Sequence, residues 1–131
     1  RSMKPSLISI LLVVCISVFS CQTKKDKVIQ LKPKEFNQFL KSNPQLIDVR
    51  TPKEFNLEHI ANAQNKNYFA EDFSNLIEEL DKEQPVLVYC RSGKRSGKSI
   101  SKFLNAGFTN IYELEGGILN WKDKGFKTTK K

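Results

Sequence analysis

The run Val86-Leu87-Val88-Tyr89-Cys90 constrains this chain more than any other stretch. Five successive positions behind Pro85 carry no charge. A strand with one wet face alternates apolar and polar side chains. An unbroken apolar strand needs cover on both faces, as in the middle of a parallel sheet. The run stops at Cys90 and gives way to nine polar or glycine residues, RSGKRSGKS, four of them basic. The chain must therefore bury a strand completely and, at its carboxyl end, emerge into a cationic turn.

The rest of the sequence supplies that cover. Residues 28–31 read as a short strand. Over 34–40, Phe36, Phe39 and Leu40 share one helix face, and Asn43-Pro44 ends it. Residues 45–50 form a second strand that runs into Thr51-Pro52. Pro52 suits a first helical turn, with Thr51 as N-cap and Glu54 nearby, so a helix is expected over 52–57. Residues 65–68 are a further strand candidate. Phe73, Leu76, Ile77 and Leu80 recur at helical spacing within 71–80. After Cys90 a helix is expected over 96–108, with Ile100, Phe103 and Leu104 facing inward and Gly107 capping it. Residues 111–114 make a last strand, Gly116-Gly117 turn the chain, and 118–124 form a helix carrying Trp121. Strands alternating with helices predict an α/β domain with a mostly parallel central sheet flanked by helices on both faces.

The 131 residues suit one such domain, and 39% hydrophobic with 27% charged residues is too apolar for a disordered chain. The amino-terminal part is set apart. Arg1-Ser2 reads as a cloning remnant ahead of Met3. Lys4 and the 13-residue apolar stretch LISILLVVCISVF then read as an export signal, too short for a membrane span. Its end, Val18-Phe19-Ser20-Cys21, resembles the lipobox of bacterial lipoproteins, with Phe19 departing from the usual small residue. The expected organisation is a remnant and signal over 1–20, a lipidated Cys21 and polar tether over 21–27, the domain over 28–126 and a basic tail over 127–131. The expected location is the bacterial cell envelope, anchored through the N-terminal lipid and facing the periplasm. Of three cysteines, Cys15 lies in the signal and Cys21 carries lipid, which leaves Cys90 as the domain's lone thiol. The formal charge of +8 becomes +6 without residues 1–20. Such a balance fits an anionic surface or a solvated basic face equally well. No zinc-finger spacing and no aromatics interleaved with the basic cluster speak for nucleic acid, so no nucleic-acid partner is expected.

Four readings of the Cys90 segment compete. Ser96-Gly97-Lys98-Ser99 ends like a phosphate-binding loop, but that pattern needs glycine at position 92, which is Ser92. One histidine and one thiol do not make a usual zinc shell, so no metal is expected. A buried structural cysteine is a common fate, yet it does not account for the glycine and cations that follow. The fourth reading is a nucleophile in an anion cradle. The strand delivers Cys90 to the carboxyl edge of the sheet, where the next helix offers free N–H groups and its positive dipole end. Dipole and cations there favour thiolate. Gly93 lets the backbone turn, and Arg91, Lys94 and Arg95 add positive charge.

These residues resemble the single-domain rhodaneses, the thiosulfate sulfurtransferase family. VYCRSGKRS is similar to the family's active-site loop. Ile47-Asp48-Val49-Arg50 with Pro52 and Glu54-Phe55 resembles its first motif, and Glu58-His59-Ile60-Ala61-Asn62-Ala63 its second. Leu114-Glu115-Gly116-Gly117 with Trp121 resembles its last. The resemblance covers residues 28–126. Glu58, Ala61 and Asn62 stand where the family has glycine, proline and glycine, at a turn near the active side, which bears on substrate choice. His59, the only histidine, is of a type that serves as a base, but the family uses this position structurally. Asp48 and Arg50 read either as loop-orienting groups or as a plain ion pair at a strand end. The resemblance implies that they support the site without performing chemistry.

The resemblance also implies a mechanism. Cys90 takes the outer sulfur of a small anionic donor such as thiosulfate, sulfite leaves, and a thiol acceptor or cyanide removes the sulfur from the Cys90 persulfide. Backbone N–H groups of Arg91, Ser92, Gly93, Lys94, Arg95 and Ser96 would hold the anion, with no metal or organic cofactor. Two rivals remain. A cysteine phosphatase of the related cell-cycle type has histidine before the cysteine and arginine six residues after it. Here Tyr89 precedes Cys90, arginine comes at five, and Ser96 stands at six. A non-catalytic envelope module that carries sulfur or binds an anion would share the same thiol.

Overall fold

The computed structural model describes residues 25–131. The signal, Cys15, the lipidation candidate Cys21 and most of the tether lie outside the described residues. Strand β1 (Lys27–Leu31) leads into α1 (Pro33–Leu40), β2 (Gln45–Asp48), α2 (Pro52–Leu57) and β3 (Gln64–Asn65). Then come α3 (Phe73–Glu78), β4 (Val86–Tyr89), α4 (Lys94–Asn105), β5 (Asn110–Leu114) and α5 (Gly117–Asp123). The five strands form one sheet in the order β1-β5-β4-β2-β3, with every neighbouring pair parallel. The fully apolar β4 is the middle strand, and all four of its residues are buried.

Alternation along β4 divides the core. Val86, Val88 and Cys90 point to one face and pack with Phe73, Ile77, Phe103 and Phe108 from the α3 and α4 side. Leu87 and Tyr89 point to the other face and meet Phe36, Leu114, Ile118 and Trp121 from the α1 and α5 side. Burial of a large aliphatic side chain is worth about 1.5–3 kcal/mol, so this strand anchors both layers.

Boundaries moved where side chains compete with the ladder. The strand expected over 45–50 closes at Asp48, because the Asp48 carboxylate accepts from the Arg50 backbone N–H at 2.9 Å and bends the chain. The strand expected over 65–68 shrinks to Gln64–Asn65, although Tyr68 N–H still donates to the Val49 carbonyl at 2.9 Å. The helix expected over 71–80 narrows to Phe73–Glu78. The helix expected from Ser96 begins two residues earlier, at Lys94, because Gly93 supplies a left-handed N-cap at φ +102°. Thr51 and Glu54 form a reciprocal capping box at the start of α2. The carboxyl-terminal residues read as a basic tail are tied down in part. Thr129 exchanges backbone hydrogen bonds with His59 at 2.8 and 2.9 Å, and Trp121 Nε1 donates to the Lys127 carbonyl at 2.9 Å.

Candidate active site

Cys90 is the residue after β4, and its side chain is 1% exposed. The carboxyl ends of β2, β4 and β5 meet around it. The Gly93 N–H donates to Cys90 Sγ at 3.0 Å, and Ser96 Oγ lies 3.4 Å from the same sulfur. Ser96 Oγ also donates to the Gly93 carbonyl at 3.2 Å, which folds the loop back on the first turn of α4. The sulfur therefore sits at a helix N-terminus with a backbone donor aimed at it. That arrangement stabilises negative charge on sulfur.

The start of α5 clamps the loop from behind. Ile118 N–H donates to the Cys90 carbonyl at 2.9 Å and Leu119 N–H to the Arg91 carbonyl at 3.1 Å. Gly117 makes this approach possible. A Cβ there would lie 2.4 Å from the Arg91 carbonyl oxygen, and its φ is +62°. In the sequence Gly116-Gly117 is legible as a turn. That the second glycine abuts the Cys90 loop is visible only in the fold.

The residues of the cradle divide into two groups. Arg91, Ser92 and Lys94 are exposed beside the sulfur, while Ser96 is buried under it. Arg95 is engaged elsewhere: Nη1 and Nη2 grip the Glu54 carboxylate at 2.7 and 3.0 Å, and the guanidinium lies 5.5 Å over the Phe69 ring. The Arg95 hydrogen bonds hold the Glu54 carboxyl down to about 2. Glu54 thus serves two masters, the Thr51 cap and Arg95, and ties α2 to α4. Its proximity to Pro52 pointed to a capping role; nothing local announced the partner 41 residues away.

Asp48 and Arg50 form a buried pair. Arg50 Nε and Nη2 reach the Asp48 carboxylate at 3.0 and 2.7 Å, and Nη2 donates to the Glu58 carbonyl at 2.6 Å. Arg50 also lies 5.8 Å over the ring of Tyr89, whose hydroxyl accepts from Ile60 N–H at 3.0 Å. Burial, with the Asp48 charge second, pushes the Tyr89 phenol up. These contacts fix the strand end next to Cys90 and place neither charged group on the sulfur. His59 is equally committed. Its Nδ1 lies 2.8 Å from the Phe55 carbonyl oxygen, its ring stacks on Phe55 at 3.8 Å, and its backbone pairs with Thr129. That is a structural turn histidine. Glu58 takes an ion pair from Lys122 at 3.1 Å, and Asn62 turns the chain at φ +68°.

One carboxyl escaped the sequence reading. Glu113 on β5 is buried behind the loop. Its oxygens lie 3.9 and 3.7 Å from where Cβ atoms on Gly93 and Gly97 would sit, and Gln30 Nε2 donates to it at 3.4 Å. Burial pushes its carboxyl up. An acidic residue set among Ile111, Tyr112 and Leu114 is the signal that was there. Among the described residues, no three His, Cys, Asp or Glu side chains gather as a metal site.

Comparison with known proteins follows the same outline. The family model of the rhodanese-like domain matches residues 32–124. The chain is similar to the thiosulfate sulfurtransferase GlpE of Pseudomonas aeruginosa, at 29% identity over 74% of this chain and 86% of that protein. It is also similar to the tRNA uridine(34) hydroxylase of Onion yellows phytoplasma, at 36% identity over 74% of this chain. It spans only 33% of that protein's length. Among solved structures, the polysulfide-sulfur transferase of Wolinella succinogenes superposes with TM-score 0.65 at 28% identity, covering 79% of this chain and 80% of that one. A rhodanese-related protein of Thermoplasma volcanium superposes with TM-score 0.70 over 78% of this chain and 98% of that one, and at 24% identity it speaks for the fold. Sequence match, parallel sheet and the loop that closes over Cys90 all point the same way, and the chain belongs to the rhodanese-like domain family.

Proposed function

We propose that the protein is a sulfurtransferase that moves a sulfane sulfur from a small anionic donor such as thiosulfate to a thiol or cyanide through a Cys90 persulfide. One observation carries this reading: the Gly93 N–H aimed at Cys90 Sγ at 3.0 Å, at the N-terminus of α4. In the first half-reaction the Cys90 thiolate attacks the outer sulfur of thiosulfate. The new S–S bond forms as the old one breaks, and the electron pair departs with sulfite. The persulfide anion remains in the cradle, where the loop N–H groups and the helix dipole stabilise it. In the second half-reaction an acceptor thiolate or cyanide attacks the outer sulfur, and the pair returns to Cys90 Sγ. Exposed Arg91 and Lys94 draw the anions in. Relatives named as a thiosulfate sulfurtransferase and a polysulfide-sulfur transferase support the same chemistry. A phosphatase needs a guanidinium over its bound anion. Here Arg95 is held by Glu54, and the group beside the sulfur is the Ser96 hydroxyl.

Intact mass after thiosulfate treatment tests the reading. A gain of one sulfur, lost on reduction and absent in Cys90→Ser, is expected. An unchanged mass with Cys90 still alkylatable would sink it. Loading without turnover on cyanide or thiols would make the protein a carrier. The lipobox-like segment supports placement at the cell envelope through Cys21. Incorporation of labelled palmitate by the wild-type chain in bacteria, and not by Cys21→Ser, is the corresponding test.

A further inference from the structure

Among the described residues, four large apolar side chains are exposed, and three of them lie at the Cys90 end of the molecule: Leu57 at 66%, Phe69 at 65% and Leu119 at 41%. Leu57 and Leu119 line a cleft of about 190 Å³ together with Arg91, Glu54, Glu58 and Lys122. The cleft borders the loop that carries Cys90, because Arg91 lines it and Leu119 N–H bonds the Arg91 carbonyl. Phe69 is joined to the same rim by the Arg95 guanidinium over its ring and the Arg95 grip on Glu54.

Charge around this rim is one-sided. The two acids of the cleft are already matched, Glu54 by Arg95 and Glu58 by Lys122. Arg91 in the cleft and Lys94 in the same loop are exposed and, among the described residues, make no ion pair, so the unneutralised charge is positive. A small anion or cyanide gains nothing from exposed leucine and phenylalanine. A protein surface does, since apolar centres ringed by charge are how transient interfaces are built. A bilayer pressed on this face would cover the mouth and shut out the anionic donor.

Resting on the sulfurtransferase reading, we propose that the Leu57–Phe69–Leu119 rim is a docking surface for a protein acceptor that presents one thiol from an apolar patch flanked by acidic side chains. The acceptor thiolate attacks the outer sulfur of the Cys90 persulfide. Its new S–S bond forms, the Cys90 S–S bond breaks, and Cys90 leaves as thiolate. The apolar rim seats the acceptor, and Arg91 with Lys94 selects its charge.

The test uses the persulfide made with thiosulfate and freed of donor. Its discharge is timed against two peptides, each with a single cysteine between leucines, one flanked by aspartates and one by lysines, and against cyanide. Rates are compared per thiolate present, because flanking charges alter thiol ionisation. Electrostatic steering predicts discharge to the aspartate peptide about tenfold faster. In Leu57→Ser/Leu119→Ser, and more weakly in Leu57→Ser alone, discharge to both peptides should slow while cyanide discharge stays unchanged. Equal rates for the two peptides, or peptide discharge untouched by both variants, overturns the proposal. So does sedimentation of the protein with phosphatidylglycerol vesicles that depends on Leu57 and Leu119. Failure to form any persulfide refutes the sulfurtransferase reading itself, and this proposal with it.

Discussion

Two arginine–carboxylate pairs flank Cys90, and they are built for different work. Asp48 and Arg50 are two residues apart and buried, at 0% and 4% exposed. Glu54 and Arg95 are 41 residues apart and reach solvent, at 27% and 17%. The first pair is a local knot that ends β2 and holds Arg50 against the Glu58 carbonyl. The second is a strut between α2 and α4 that sets where the Cys90 loop sits. Removing one member of the knot strands a charge in a dry place. Removing one member of the strut exposes a charge to water. The structural cost and the functional cost should therefore fall on different pairs.

The largest effect is expected at the knot. Asp48→Ala leaves the Arg50 guanidinium buried and unpaired, which costs about 3–5 kcal/mol. Urea unfolding should show it as a lower midpoint; a midpoint within error of wild type would mean that the pair is not structural. At the strut, Glu54→Gln should cost only about 1–2 kcal/mol. It should slow persulfide formation out of proportion, because the strut that sets where the Cys90 loop sits is loosened. Stopped-flow loading with thiosulfate separates the two costs, and parallel loss of stability and rate would erase the distinction between the pairs.

Acid sharpens the comparison further. In the folded chain the Glu54 carboxyl titrates at about 2, against 4.5 for the free group. The unfolded chain takes up this proton first as pH falls, so acid favours unfolding. The contribution is whole above about pH 4.5 and is lost as pH falls through about 2. Subtracting the Glu54→Gln stability curve from wild type should reveal that slope; a flat difference would show that Arg95 does not hold the carboxylate. The smallest effect is Arg95→Lys, which keeps charge but loses the two-point grip, for a cost of about 0.5–1 kcal/mol. Salt at 1 M should reduce the Glu54–Arg95 coupling in a double-mutant cycle and leave the Asp48→Ala penalty nearly unchanged. Equal salt sensitivity would contradict the difference in burial.

Much of the architecture is legible because it is written locally. An apolar run at 86–89 can only be a strand covered on both sides, and β4 is the middle strand. Thr51, Pro52 and Glu54 announce a helix start within four residues, and the capping box is there. The errors lie at element ends. There one side chain outweighs periodicity, as the Asp48 carboxylate does at the end of β2 and the left-handed Gly93 at the start of α4. For the site, the position of Cys90 after a buried strand and before a helix is equally local. What each cation in the loop does is not.

The sequence by itself determined the sheet's central strand, the single thiol at its carboxyl edge and the glycine that lets the loop turn. These follow from run length, composition and spacing over a few residues. Only the tertiary structure decided that Arg95 faces Glu54 while, among the described residues, Arg91 and Lys94 take no ion-pair partner. It also decided that Gly117 must be glycine because the Arg91 carbonyl lies where its Cβ would be, and that Glu113 lies behind the loop. Each of those facts depends on how α2, α4 and α5 stack across the sheet. A chain carries its own short-range preferences in one dimension, but which distant groups meet is fixed by packing, where the cost of burying charge and the space for one atom are settled together.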